Sequence, residues 1–191
     1  MNEFLAAHGA LVGALVVTCI VTSGTPGPNN LIVLSATLSD TRRAALKAYL
    51  GVCLGFPPMV LIVSLAAVYF GESISLQLNF IKYLGIAFLL YLSAKLFLAP
   101  PTSEVGPSGT APGFLFMVLF QWTNPKALAM ASSTAVIAGP ALIYLIVGFP
   151  CVGIWLWFGE LLKRRILGTP WERHLNRSLA VLLALSVLTM I

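Results

Sequence analysis

The sequence predicts an all-α integral membrane protein of about six transmembrane helices, arranged as two inverted three-helix repeats with broken first and fourth helices. Three observations predict it. Of 191 residues, 59% are hydrophobic and only 9% are charged, whereas a soluble domain carries about 25% charged residues. The apolar stretches number about six, and each span needs roughly 20 residues. Finally, Thr25-Pro26-Gly27-Pro28-Asn29-Asn30 interrupts the first stretch and Thr123-Asn124-Pro125-Lys126 interrupts the fourth. Hydrocarbon cannot hydrogen-bond the backbone groups that proline frees, so such breaks persist only against protein or a watery cavity. Residues 1–98 form the first expected repeat, 99–113 the loop between repeats, and 114–191 the second.

The first span runs from Gly9 to Ser39 and holds no charge. Glu3 precedes it without a basic n-region, and the run is too long for an h-region, so an uncleaved first helix is expected. Asp40, Arg42, Arg43 and Lys47 make a short polar loop. Ala48 to Gly71 is the second span, and Glu72 to Ser75 a short connection. The third span is Leu76 to Leu98, with Lys82 and Lys95 near opposite ends, where their stems can snorkel. Pro100 to Pro112 is rich in Pro, Gly, Ser and Thr and reads as a linker. Phe114 to Ala138 is the fourth span. Gly139-Pro140 turns into the fifth, Ala141 to Leu162, and a basic loop with Lys163, Arg164, Arg165, Arg173 and Arg177 follows. Ser178 to Ile191 is the sixth, with 14 residues. That is about 21 Å against a hydrocarbon core of ~30 Å. This helix must thin the bilayer, extend back toward Trp171, or fail to span.

The loops after spans one, three and five carry the basic residues, while the opposite side holds only Lys82. The positive-inside rule makes those loops cytoplasmic and puts both termini outside. Three spans per half then invert the second half relative to the first. Gly55-Phe56-Pro57 and Gly148-Phe149-Pro150 agree with this, since they lie 93 residues apart in matching spans and Pro28 lies 97 residues before Pro125. Gly51 and Gly55 make a small-xxx-small pair suited to helix packing.

Several classes are disfavoured. The net charge of +5 comes from residues beside apolar spans, so it argues for membrane orientation and not for nucleic acid. Cys19, Cys53 and Cys151 are isolated in apolar runs and read as packing residues, with no metal and no cofactor expected. No His-Asp or Cys-His set suggests an enzyme. No acid lies deep in a span, which disfavours a pump for bare cations.

The breaks are the candidate site. Pro26 and Pro28 free the carbonyls of Thr22 and Gly24, and Pro125 frees that of Gln121. Each break also opens a half-helix N-terminus that favours an anion. Free carbonyls favour an ammonium, so one site offering both matches the backbone end of an amino acid. The candidate substrate-binding residues are Gly24, Pro26, Gly27, Pro28, Asn29, Asn30, Gln121, Asn124, Pro125 and Lys126. Lys126 is the ionisable residue deep in a span, without an obvious buried partner. Ser132, Ser133 and Thr134 either line the same cavity or pack helices. Asp40, Arg42 and Arg43 are candidates for a cytoplasmic gate. Two ordinary proline kinks remain the alternative reading.

These residues resemble a known family. Pro26-Gly27-Pro28-Asn29, Arg42-Arg43, then Gly51 and Gly55 are similar to the first half of the LysE/RhtB amino-acid exporters. Lys82, Gly85, Tyr91 and Leu92 are similar to that family's third helix, and Phe120 to Ala127 to its fourth-helix motif. The resemblance implies a multi-pass protein of the bacterial cytoplasmic membrane that exports amino acids or close derivatives, driven by the proton gradient. Rocking of one inverted repeat against the other would alternate access. Its partners would be the small-molecule substrate and the lipid bilayer, in a monomer or homodimer. A passive channel and a non-transport assembly subunit are the rivals.

Overall fold

A computed structural model describes residues 2–70, 74–100, 111–133 and 140–188. Among these residues the chain is all helical: α1 (Asn2–Gly24), α2 (Pro28–Ser39), α3 (Arg42–Phe70), α4 (Ile74–Phe97), α5 (Phe114–Phe120), α6 (Pro125–Ser133), α7 (Pro140–Ile166) and α8 (Trp171–Leu188). Most of the expected linker, Thr134, Gly139 and the last three residues lie outside the described residues. By length and apolarity α3, α7 and the Asn79–Phe97 part of α4 can each cross a bilayer, and α1 with α2 forms a fourth span bent by 44°.

The first bend follows from local chemistry. Gly27 is extended (φ −170°, ψ 174°), and Pro28 opens α2 where its missing N–H costs nothing. The carbonyls left at the end of α1 still need donors. Asn30 Nδ2 supplies two hydrogen bonds, to Ser23 O at 2.7 Å and Thr25 O at 2.9 Å. The second break is a tight turn, with Trp122, Thr123 and Asn124 N–H groups each reaching a carbonyl three residues back. Asn124 Oδ1 then accepts the Lys126 N–H at 3.1 Å, capping α6.

The half-helix α2 is the centre of the bundle, with nine of its twelve residues buried. It packs against α3, α7 and α8, while α5 and α6 lie on α3, α1 on α7, and α4 on α8. Apolar burial drives little association within hydrocarbon, so close packing must hold the helices together. Glycines allow that closeness. A Cβ at Gly51 would stand 2.5 Å from Phe114 O, and one at Gly55 2.8 Å from Val118 Cα, so the pair forms the seam between α3 and α5. Outside this core, Val17, Val68, Leu115, Ile146 and Leu185 are exposed, as lipid-facing residues would be.

Helices α3 and α7 pack side by side, with the second tripeptide against the turn before the first. Tyr49 Oη donates to Phe149 O at 3.0 Å, and Cys53 Sγ donates to Gly148 O at 3.8 Å. Lys163 Nζ reaches the end of α2, and the Arg177 guanidinium lies 5.5 Å from the Phe97 ring centre. These contacts gather the ends of α2, α4 and α7 and the start of α8, with their basic residues, at one end of the bundle.

Several element bounds differ from expectation, three of them next to charged residues. Helix α3 begins at Arg42, so the first polar loop shrinks to Asp40 and Thr41. Helix α7 runs on through Lys163, Arg164 and Arg165 to Ile166, because charged residues cost little in a last turn that leaves the hydrocarbon. Helix α8 takes the extended option and starts at Trp171. Its 18 residues give about 27 Å. Gly168, at φ +80°, makes the turn before it, and Glu172 Oε2 accepts the Gly168 N–H at 3.2 Å.

Candidate functional site

The two breaks meet in the middle of the bundle. Asn29 Nδ2 donates to Gln121 Oε1 at 2.8 Å, and Gln121 Nε2 returns a bond to Asn29 Oδ1 at 3.2 Å. Asn124 Nδ2 donates to the same Asn29 oxygen at 3.0 Å. Gln121 and Asn124 are buried and Asn29 is half-buried, so three amides from two distant segments satisfy one another away from water. This network fixes the position of one break against the other.

Lys126 completes the join. Its Nζ donates to Thr25 Oγ1 at 2.9 Å and to Thr25 O at 3.4 Å. The stem lies over Gly27, where a Cβ would stand 2.9 Å from both Lys126 Cδ and Nζ. Gly27 is therefore required for the amine to sit there. An ammonium has three donors, and one side of this one faces a cavity.

That cavity contains about 480 Å³ of space free of atoms, the solvent at its mouth included. Asn29, Asn30, Asn124 and Lys126 form its polar wall at the breaks. Phe56, Pro57, Cys53, Met130, Tyr144 and Gly148 form most of its apolar lining. The cavity lies at the breaks and on the side of them away from the basic end. Toward the basic end, Leu31, Val33, Leu34, Met117 and Phe120 are packed and buried.

The expected site residues are distributed as follows. Gly27, Asn29, Asn30, Asn124 and Lys126 line the cavity, whereas Gln121 is sealed behind Asn29. Pro28 and Pro125 are buried and start the two half-helices, while Pro26 is exposed. The Gly24 carbonyl accepts the Trp155 Nε1–H at 3.0 Å. The Gln121 carbonyl accepts the Asn124 N–H at 3.3 Å. The Thr22 carbonyl accepts the Thr25 hydroxyl at 3.3 Å. All three carbonyls that proline frees thus already hold one donor, leaving each a single lone pair. Ser132 spends its hydroxyl on Leu128 O at 2.8 Å.

The gate candidates separate. Arg42 and Arg43 are exposed at the start of α3. Asp40 is buried at the basic end, where Oδ1 accepts the Thr41 N–H at 2.6 Å and Oδ2 the Ala111 N–H at 3.1 Å. The cation beside it is Lys163, whose Nζ donates to Thr37 O at 3.0 Å and to Asp40 O. Sequence reasoning missed Lys163, Trp155 and Tyr144. Their signal is weak, because a donor for a freed carbonyl can come from any neighbouring helix.

A multi-pass helical bundle whose two broken segments converge on a polar, amine-bearing cavity defines a membrane transport protein. The model of the LysE type translocator family matches residues 20–185, and the chain belongs to that family. Curated relatives include the cysteine/O-acetylserine efflux protein of Salmonella typhi, 27% identical over 190 residues that cover 92% of each chain. The protein of the same name from Escherichia coli is 26% identical over 187 residues, covering 91% of this chain and 93% of the relative. No solved structure matches the chain.

Proposed function

We propose that the chain is a secondary exporter of small amino acids or their close derivatives, working by alternating access in a bacterial inner membrane. The observation that carries this reading is the cavity at the paired breaks, with Lys126 bonded across from one break to the other. The efflux relatives support the direction and the substrate class. In this reading Lys126 holds the substrate carboxylate. The remaining lone pairs of the first-break carbonyls, near Gly24, hold its ammonium. Residues 1–98 and 114–191 rock against each other as inverted repeats, and the basic end faces the cytoplasm with both termini outside. Proton transfer at Lys126 is the coupling step, and unchanged pH dependence of export in Lys126→Met would rule that step out. Cells expressing the chain, loaded through a panel of dipeptides, should release one class of small amino acids at a saturable rate. Release that never saturates would replace the exporter with a passive channel, and no excess release of any amino acid would remove the reading.

The gate at the basic end is Asp40 with Lys163, in place of Arg42 and Arg43. Lys163 holds the last turn of α2 to α7, and Asp40 holds the end of the linker at Ala111. Gly159 reinforces the closure, since a Cβ there would stand 2.7 Å from Thr37 Cβ. Each hydrogen bond to a charged group contributes about 1.5–3 kcal/mol. Lys163→Met should therefore favour opening at this end by roughly tenfold or more. Cys53 lines the cavity and serves as the reporter. A membrane-impermeant thiol reagent applied to inside-out vesicles should label it about tenfold faster in the variant, with Cys53→Ser as the background control. Equal labelling rates would exclude Lys163 as a gate residue.

A further inference from the structure

One buried hydroxyl of the cavity wall completes no hydrogen bond. Tyr144 is 2% exposed and lines the cavity, and among the described residues its Oη, which lies beside Thr22 and Cys19, makes no hydrogen bond. Buried hydroxyls normally find a partner, and leaving one unmade costs stability. Most other polar groups of the cavity are already committed. Thr22 Oγ1 donates to Thr18 O at 2.7 Å, and Cys53 Sγ donates to Gly148 O. Asn30 Nδ2 spends both its protons on the first break, and Asn29 Oδ1 accepts two bonds. The Lys126 ammonium and the Tyr144 hydroxyl both keep unused valence at the cavity wall.

The tyrosine is also held in place. Its ring meets Phe56 edge-to-face, with centroids 4.8 Å apart. Such a contact fixes the ring while leaving the hydroxyl as the polar tip of an apolar wall. Phe56, Cys53 and Met130 complete that wall and bring no charge to it. A fixed hydroxyl in an apolar wall suits a short side chain that ends in one polar atom. It does not suit a charged one.

We propose that Tyr144 is a specificity-determining residue, and that its hydroxyl hydrogen-bonds an oxygen or sulfur carried on the β-carbon of the exported amino acid. The inference rests on the reading of the cavity as an amino-acid site. With the substrate's backbone end at Lys126, its side chain points at Tyr144. The site then favours 3-hydroxy-, 3-thio- and 3-acyloxy-alanines over alkyl side chains of the same size. A site built to hydrogen-bond a substrate atom discriminates against the analogue lacking it, because its own polar group is then left unpaired.

The test uses the full-length chain in proteoliposomes and labelled pairs that differ by that atom: serine against alanine, and cysteine against 2-aminobutyrate. Tyr144→Phe keeps the ring against Phe56 and removes only the hydroxyl. It should lower the serine-to-alanine and cysteine-to-2-aminobutyrate rate ratios about five- to tenfold. Equal loss for both members of each pair would assign Tyr144 a structural role and overturn the proposal. Unchanged ratios would overturn it as well. If the wild type moves none of the four, the amino-acid reading fails and the inference fails with it. If it moves them and only the ratios stay fixed, the reading stands and the inference alone falls.

Discussion

Lys126→Met should cut export at least a hundredfold while leaving the amount of inserted protein unchanged. Methionine keeps most of the stem and fits the same gap over Gly27, so packing changes little. What disappears is the ammonium. In the wild type it bridges to Thr25 Oγ1 at 2.9 Å and still has donor capacity facing the cavity. A carboxylate brought to this wall without a cation is buried and unpaired, which costs about 3–5 kcal/mol. At 1.4 kcal/mol per factor of ten, even the lower figure exceeds a hundredfold. The neutral Asn29–Gln121–Asn124 network cannot substitute, because its amides are already paired with one another. The measurement is initial-rate efflux normalised to the detergent-extracted protein. Export by Lys126→Met within threefold of wild type would remove Lys126 from the substrate path. Lys126→Arg is a useful companion: it keeps the charge but has a wider head that the Gly27 contact leaves no room for. An intermediate rate is expected from it.

The breaks were legible in the sequence because their causes are local. Proline removes a donor wherever it stands, and an uncharged run around Pro28 leaves no ambiguity about the environment. The candidate list gathered from the breaks therefore contains the polar wall of the cavity. Its partnerships were not legible. Nothing near Gly24 in the chain foretells that Trp155 donates to its carbonyl, because that bond depends on which helices are neighbours. Lys163 was similarly hidden. As one of three consecutive basic residues it reads as an orientation signal, and only the approach of α7 to the end of α2 distinguishes it from Arg164 and Arg165, which are exposed. The start of α8 was left open between Ser178 and Trp171 for a physical reason too. Glu172, Arg173 and Arg177 suggest a loop by composition, yet the first turns of a helix can carry charge while the rest lies in hydrocarbon.

Gly85 shows how a residue visible only as part of a motif becomes a strong structural constraint. Gly85→Ala is expected to be the most damaging single methyl in the bundle. A Cβ at Gly85 would lie 1.7 Å from Thr123 O, 2.9 Å from Thr123 C and 3.1 Å from Pro125 Cδ. Two of these three atoms are backbone, so no side-chain rotation can relieve the overlap. Helix α4 would have to move away from the second break by more than an ångström, or the turn through Thr123 would have to reshape. Overpacking usually costs 1–3 kcal/mol, and here the rigid partner argues for about 3 kcal/mol or more. The shift would also strain the bonds that Asn124 makes to Asn29 and to the start of α6. Loss of thermal stability in detergent should therefore come with loss of export. Gly13→Ala is the matched control. It lies in α1 with nothing within 4 Å of its added Cβ, and alanine is the better helix former by up to about 1 kcal/mol. Gly13→Ala should melt at or above the wild-type temperature. If Gly85→Ala melted there too, α4 could not be seated on the second break as it is here, and the wall behind Lys126 would need a different support.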